Sequence, residues 1–298
     1  MKRTVMFWLV SCAVLIASAW PLTVLAETQE ATLTVEGRTA YINLPANLEN
    51  NQRYPLVIGY HGGGGNAEGY IRHSGLFSKA EEAGFIAVCP EGSLVTRFGN
   101  HRVWNSGPEY AKATRNVDDV AFTKALIAAV SAQYPVDPRR IYATGFSNGG
   151  QMVYRLALEM SDRIAAIAPM SGARLATGER PRRRVPVLHF HGTADTLYPL
   201  QGGLGAQSRG HRLHVPVRDA IAEWVHIDGD QVAPHVSRYD GWQVEAHEGP
   251  TPVDLVLVDG MGHQIAGGKD DRLPHQALRS TPDSVKLAFE FFLAHPMP

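Results

Sequence analysis

Ser147, Asp195 and His263 are the residue types that together cleave acyl bonds, and they occur in this chain in that order. The serine lies in Gly145, Phe146, Ser147, Asn148, Gly149, between an apolar run from Ile141 to Ala143 and the helix-like stretch Gln151 to Met160. Glycines two residues either side of a serine permit a bend so sharp that the hydroxyl projects outward, the form of a nucleophile elbow. A serine hydroxyl is a poor nucleophile near neutral pH. It needs a neutral imidazole to accept its proton and a carboxylate to hold that imidazole in one tautomer. Asp195 stands in His191, Gly192, Thr193, Ala194, Asp195, just after the apolar run Val187 to Phe190. His263 stands in Asp259, Gly260, Met261, Gly262, His263, just after Leu255 to Val258.

Thirteen histidines are present, so most must do something else. His189 falls inside a strand pattern and reads as a packed core histidine. His191 shares the strand-end loop of Asp195 and reads as shaping it. His275 is a weaker rival base, and Asp259 a weaker rival acid on the same short loop as His263. Asp118 and Asp119 read as first-turn acids of a helix from Val117 to Gln133, with Asn116 as its cap. The developing oxyanion needs backbone donors. Gly63 is the preferred one, with Gly62 and Gly64 as neighbours in Tyr60 to Asn66, and Asn148 supplies the second. No Lys-Ser or Lys-Thr pair follows these glycines and no spaced acid completes a dinucleotide fingerprint, which excludes a phosphate cradle.

These residues need a frame. Leu56 to Ile58, Phe85 to Val88, Ile141 to Ala143, Ile164 to Ala168, Val187 to Phe190 and Leu255 to Val258 are short continuous apolar runs, as in strands covered on both faces. Helical patterns alternate with them: Leu76 to Ala83, Val117 to Gln133, Gln151 to Met160, Val217 to Val225 and Ser284 to Leu293. Ala31 to Leu44 alternates polar and apolar residues and predicts an edge hairpin. The expected fold is α/β, a doubly wound, mostly parallel sheet with helices on both faces, and the order Ser, Asp, His is that of the α/β-hydrolase fold. In such sheets sites gather at the carboxyl ends of strands, where all three candidates fall. Pro199 to Gly210, within the loop 199–216, is the segment placed to cover the cleft.

Of the 298 residues, Met1 to Ala26 read as a secretory signal, with Lys2 and Arg3 before an uncharged apolar stretch. This leaves 27–298 as one catalytic domain, secreted or periplasmic, with no stable membrane association after cleavage. A retained anchor, or a lipoprotein box ending at Cys12, fits less well because Pro21 and the compact residues before Glu27 suit a cleavage region. Cys89, in an apolar run, reads as a small buried hydrophobe. The net charge of -1 gives no field for nucleic acid, and the basic run Arg180 with Arg182 to Arg184 reads as a solvated loop. No Cys/His spacing matches a zinc site, and the chemistry above calls for no metal or organic cofactor.

From about residue 40 to 295 the chain resembles the secreted esterase family of polyhydroxybutyrate depolymerase-like proteins and feruloyl esterases. The resemblance rests on His61 to Asn66, Pro90 to Gly92, Arg115 to Phe122, Gly145 to Gly150 and His191 to Pro199. It implies that Ser147, Asp195 and His263 form the triad and that small-molecule or polymeric carboxylic esters, feruloyl, acetyl-sugar or hydroxyalkanoate, are the substrates. It further implies a place near the cleft for Trp104 and Asn105, where Trp104 is expected to stack on an aromatic or sugar group. Gln264 to Gly267 replace the aromatic and proline that often follow the family's histidine, and the family's extra cysteines are missing, so no disulfide carries over. A peptidase on the same scaffold, or an inactive polymer- or carbohydrate-binding relative, are the rival readings.

Overall fold

A computed structural model describes residues 29–298 except 50, 96–100, 112–113, 115–116, 175–179, 206–212, 230–232 and 270–280. The expected signal, Cys12, Asn116 and His275 lie outside the described residues. In chain order the elements are β1 (Gln29–Val35), β2 (Arg38–Leu44), β3 (Tyr54–Tyr60), α1 (Ala67–Ser74), α2 (Leu76–Ala83), β4 (Ile86–Pro90), β5 (Ser93–Val95) and β6 (His101–Val103). Next come α3 (Pro108–Ala111), α4 (Asp119–Gln133), β7 (Val136–Phe146), α5 (Asn148–Glu159), β8 (Ile167–Met170), β9 (Val187–Gly192), β10 (Gly203–Leu204) and β11 (Leu213–His214). The last are α6 (Val217–Asp228), β12 (His235–Tyr239), β13 (Trp242–His247), β14 (Val253–Val258) and α7 (Ser284–Ala294).

Ten strands form one sheet in the order β1-β2-β4-β3-β7-β8-β9-β14-β13-β12. From β4 to β14 all neighbours are parallel, and antiparallel hairpins finish both edges. Because side chains alternate along a strand, Leu56 and Ile58 enter one core and Val57 the other. The first core packs α4, α5 and α6 through Phe122, Leu126, Met152, Leu156 and Trp224. The second packs α1, α2 and α7 through Tyr70, Leu76, Phe77, Phe289 and Phe292. The expected doubly wound sheet with helices on both faces is the observed architecture.

Several expectations are corrected. The helix expected from Val117 begins at Asp119, and its cap is Asp118, whose carboxylate accepts from the amides of Val120 and Ala121. Asp119 is fully buried, where Arg38 Nη1 meets it at 2.6 Å and the Asn105 amide donates to it at 2.6 Å. Asp119 keeps the expected place as the acid of the first turn and also anchors the core. The run from Ile164 becomes a strand only at Ile167, because the chain first leaves a turn closed by Arg163 and Ile164 on the Met160 carbonyl. In the expected lid, Gly203–Leu204 and Leu213–His214 pair as a two-residue ribbon.

Candidate active site

Ser147 sits between β7 and α5 with φ 55° and ψ -117°, a left-handed conformation that costs a β-carbon-bearing residue energy. The bend exists only because its neighbours lack side chains. A Cβ on Gly149 would overlap the Tyr60 carbonyl oxygen, one on Gly145 would lie 2.5 Å from the Gly149 carbonyl, and one on Gly172 would overlap the carbonyl of Ser147 itself. The Ser147 amide donates to Met170 O at 2.8 Å, which fastens the bend to β8. Gly172 carries no signal in the sequence, since it lies far from the motif in order.

The structure brings Ser147, Asp195 and His263 together. His263 Nδ1 lies 2.7 Å from Asp195 Oδ2, and its Nε2 lies 2.9 Å from Ser147 Oγ. A carboxylate oxygen only accepts, so Nδ1 carries the proton and Nε2 of the neutral ring accepts from the serine hydroxyl. Asp195 is buried, and its other oxygen accepts from the amides of Leu197 at 2.9 Å and Tyr198 at 2.7 Å. Gly192 lets the two loops meet, since a Cβ there would overlap the Met261 carbonyl oxygen two residues before His263. Asp259, the rival acid, is exposed and points its amide to Gly241 O.

Behind Asp195 runs a buried chain that sequence order could not reveal. His191 Nε2 lies 2.8 Å from Tyr198 O and 3.6 Å from Asp195 Oδ2, both oxygens that only accept. It must therefore be the protonated nitrogen. Burial holds His191 below the ordinary imidazole range and His189 well below it, so both rings are neutral. His191 Nδ1 then accepts from His189 Nε2 at 3.2 Å, and His189 Nδ1 accepts from the Tyr154 hydroxyl at 2.9 Å. His189 is the core histidine and His191 the loop-shaping one that the sequence leads one to expect.

The glycine run after β3 turns tightly. The amide of Gly64 donates to Arg102 O at 2.8 Å and that of Gly65 to Gly62 O at 3.0 Å, which removes Gly64 as an oxyanion donor. Gly63 faces Asn148, with a Cβ placed on it 3.4 Å from the Asn148 Cβ. Asn148 opens α5, so its amide has no acceptor within the helix. His61 braces this loop: Nδ1 donates to Gly62 O at 2.8 Å, and Nε2 accepts from the Gly92 amide at 3.0 Å. Burial lowers His61 to about 4, so it stays neutral.

Trp104 is a correction. It is fully buried instead of facing the cleft, its indole nitrogen donates to His61 O at 3.0 Å, and its ring packs edge-on to Tyr60. Its main chain is clamped by Asn148, whose Oδ1 accepts from the Trp104 amide at 2.7 Å and whose Nδ2 donates to Trp104 O at 3.1 Å. Trp104 thus ties the glycine turn to the elbow, with its ring closed off from the cleft.

A cleft of about 720 Å³ opens over these groups, with Gly62, Gly63, Phe146, Leu197, His263 and Ile265 in its wall. A second hollow, of about 440 Å³, lies beside Arg53 and Tyr134 near the opposite ends of β3 and β7, away from the three residues.

Comparison with known proteins places the chain among esterases. Feruloyl esterase B of Piromyces equi is 30% identical over 241 residues, 78% of this chain and 44% of that protein. The bifunctional acetylxylan esterase/xylanase XynS20E of Neocallimastix patriciarum is 27% identical over 165 residues, 55% of this chain and 22% of that protein. The chain spans less than half the length of these two curated relatives. The acetyl xylan esterase from Aspergillus awamori superposes with a TM-score of 0.60 at 14% identity, covering 80% of this chain and 94% of that one, a likeness of fold alone. The family model described as Esterase PHB depolymerase matches residues 39–189, which hold the glycine turn and the elbow serine and end before Asp195 and His263. With the elbow, the glycine turn and the α/β-hydrolase sheet all falling within or around that match, the chain belongs to the Esterase PHB depolymerase family.

Proposed function

We propose that this protein is a serine esterase, made with a signal over residues 1–26 and acting outside the cytoplasm as a single catalytic domain from residue 27 to 298. One observation carries the reading: the ring of His263 bridges Ser147 Oγ at 2.9 Å and Asp195 Oδ2 at 2.7 Å. As Ser147 Oγ bonds to the ester carbonyl carbon, its proton passes to His263 Nε2, and Asp195 stabilises the imidazolium. The amides of Gly63 and Asn148 hold the oxyanion, each such donor being worth roughly a hundredfold or more in rate. The C–O bond then breaks and His263 protonates the departing alkoxide. Water, deprotonated by His263, attacks the acyl-enzyme and releases the acid. Every proton is accounted for by these side chains, so the cycle requires no cofactor.

The substrate class follows from relatives named for feruloyl and acetylxylan ester hydrolysis and from a cleft large enough for an aromatic acyl group. The test is hydrolysis of 4-nitrophenyl butanoate by the purified protein, with labelling of Ser147 by a fluorophosphonate. Turnover and labelling that both vanish in Ser147→Ala support the proposal. Full activity in Ser147→Ala, or a protein that is neither labelled nor active, overturns it, and faster cleavage of peptides than of esters would make it a peptidase.

A further inference from the structure

Among the described residues the cleft wall is electrically one-sided although the chain is nearly neutral, with 28 Lys and Arg against 29 Asp and Glu. Arg72, Arg102 and Lys269 line it, and no Asp or Glu does among the described residues. Arg102 is matched by Glu91 behind the wall at 3.1 Å, and nearby Lys79 by Asp283 at 2.8 Å. Arg72 and Lys269 are exposed and have no acidic partner among the described residues. They belong to different segments held together by main chain, since the Lys269 amide donates to His73 O at 2.7 Å. A helix C-terminus favours cations in its last turn, which accounts for Arg72 and His73 at the end of α1. It does not account for Lys269 on the same wall.

The distance from the chemistry is set by α1. That helix is capped by Asn66, the last residue of the glycine turn, and the six steps from there to Arg72 advance about 9 Å along its axis. A flexible Arg or Lys side chain covers several ångströms of that span, so a charge carried a few carbons from the ester carbonyl falls within reach.

We propose that Arg72 and Lys269 form an anion subsite that makes the enzyme prefer esters bearing a carboxylate several bonds from the scissile carbonyl. This rests on the esterase reading above and narrows its substrate class. The carboxylate could sit on either side of the ester, so two pairs of substrates are needed. For the acyl side, the 4-nitrophenyl half-ester of adipic acid is set against 4-nitrophenyl hexanoate. For the alcohol side, 4-(butanoyloxy)benzoate is set against 4-(butanoyloxy)benzamide. In each pair kcat/KM is measured for the wild type and for the Arg72→Gln, Lys269→Gln double variant, after subtraction of spontaneous hydrolysis.

The expected result is that the anionic-to-neutral ratio falls about tenfold in the double variant for at least one pair, at roughly threefold to fivefold per exposed charge. The loss shrinks in high salt. A ratio that is unchanged in both pairs overturns the proposal. Binding of the adipate half-ester to Ser147→Ala, followed by calorimetry with and without the two Gln substitutions, reads the subsite without turnover. Affinity lowered by the substitutions supports the subsite even if the serine mechanism fails, and equal affinity overturns the subsite even if that mechanism stands.

Discussion

The indole N–H of Trp104 donates to the carbonyl of His61 at 3.0 Å, so the segment after β6 braces the glycine turn that holds the proposed oxyanion donor Gly63. In Trp104→Phe the ring remains but a buried carbonyl loses its partner, at a cost of about 1–3 kcal/mol in stability. We expect kcat for a 4-nitrophenyl ester to fall about tenfold through displacement of Gly63, with a smaller change in KM. Steady-state kinetics beside thermal unfolding checks this, and an unchanged kcat in a folded variant would show that the bond does not position the loop.

Asp195→Asn keeps an oxygen for the amides of Leu197 and Tyr198 while presenting an NH2 group to His263 Nδ1. The ring must turn over its tautomer, leaving Nε2 protonated and unable to accept from Ser147. We expect kcat to drop roughly a thousandfold or more with little loss of stability. Circular dichroism and burst kinetics separate this from unfolding, and a drop of less than tenfold would argue that another group orients His263.

Acid should unfold this protein earlier than its carboxylates alone would. His61, His189 and His191 are buried and neutral, each with its folded pKa below the ordinary 6.5 and His61 at about 4. Between the two values the unfolded state binds the proton and the native state does not, so stability is present above about pH 6.5 and is lost as pH falls below it. Each histidine contributes a slope of up to about 1.4 kcal/mol per pH unit. Denaturant unfolding from pH 7.5 to 5 measures the slope, and a flat profile there would refute neutral burial.

Asp254 behaves in the opposite sense. Burial, reinforced by the charge of Glu248, pushes it up to about 6. Its ionisation therefore costs the native state stability as pH rises through that value. Asp254→Asn should stabilise the protein by about 1–2 kcal/mol at pH 8 and by clearly less at pH 4, where the native state holds the proton and the unfolded carboxyl is only about half ionised. Tm measured at the two pH values decides, and an equal shift at both would point to lost packing or hydrogen bonding instead.

The central strands and the grouping of Ser147, Asp195 and His263 were legible because each follows a simple local rule: Val187 to Phe190 is an apolar run, and Asp195 and His263 stand just past strand ends. The β12–β13 hairpin was not, since an edge pair with Arg238, Tyr239 and Glu245 lacks the apolar continuity of buried strands. Helix α1, with Gly69 in its middle, is held by the Asn66 cap and the left-handed Gly75 more than by its own pattern. Asp118 took the cap expected of Asn116 because the helix starts two residues later. Trp104 misled because an aromatic beside a cleft motif looks the same in sequence whether it faces ligand or carbonyl. The histidine chain behind Asp195 depends on tautomers, and those are fixed only when distant oxygens arrive beside each nitrogen.

Cys89 is wedged in the second core, where a Cβ on Gly59 would lie 2.8 Å from its sulfur, and burial pushes its thiol pKa up. With the proposed signal over residues 1–26 removed, it is the one cysteine left and a silent reporter. A thiol reagent can reach it only when the sheet parts from α1 and α2, so the pace of its modification clocks how often that layer lifts.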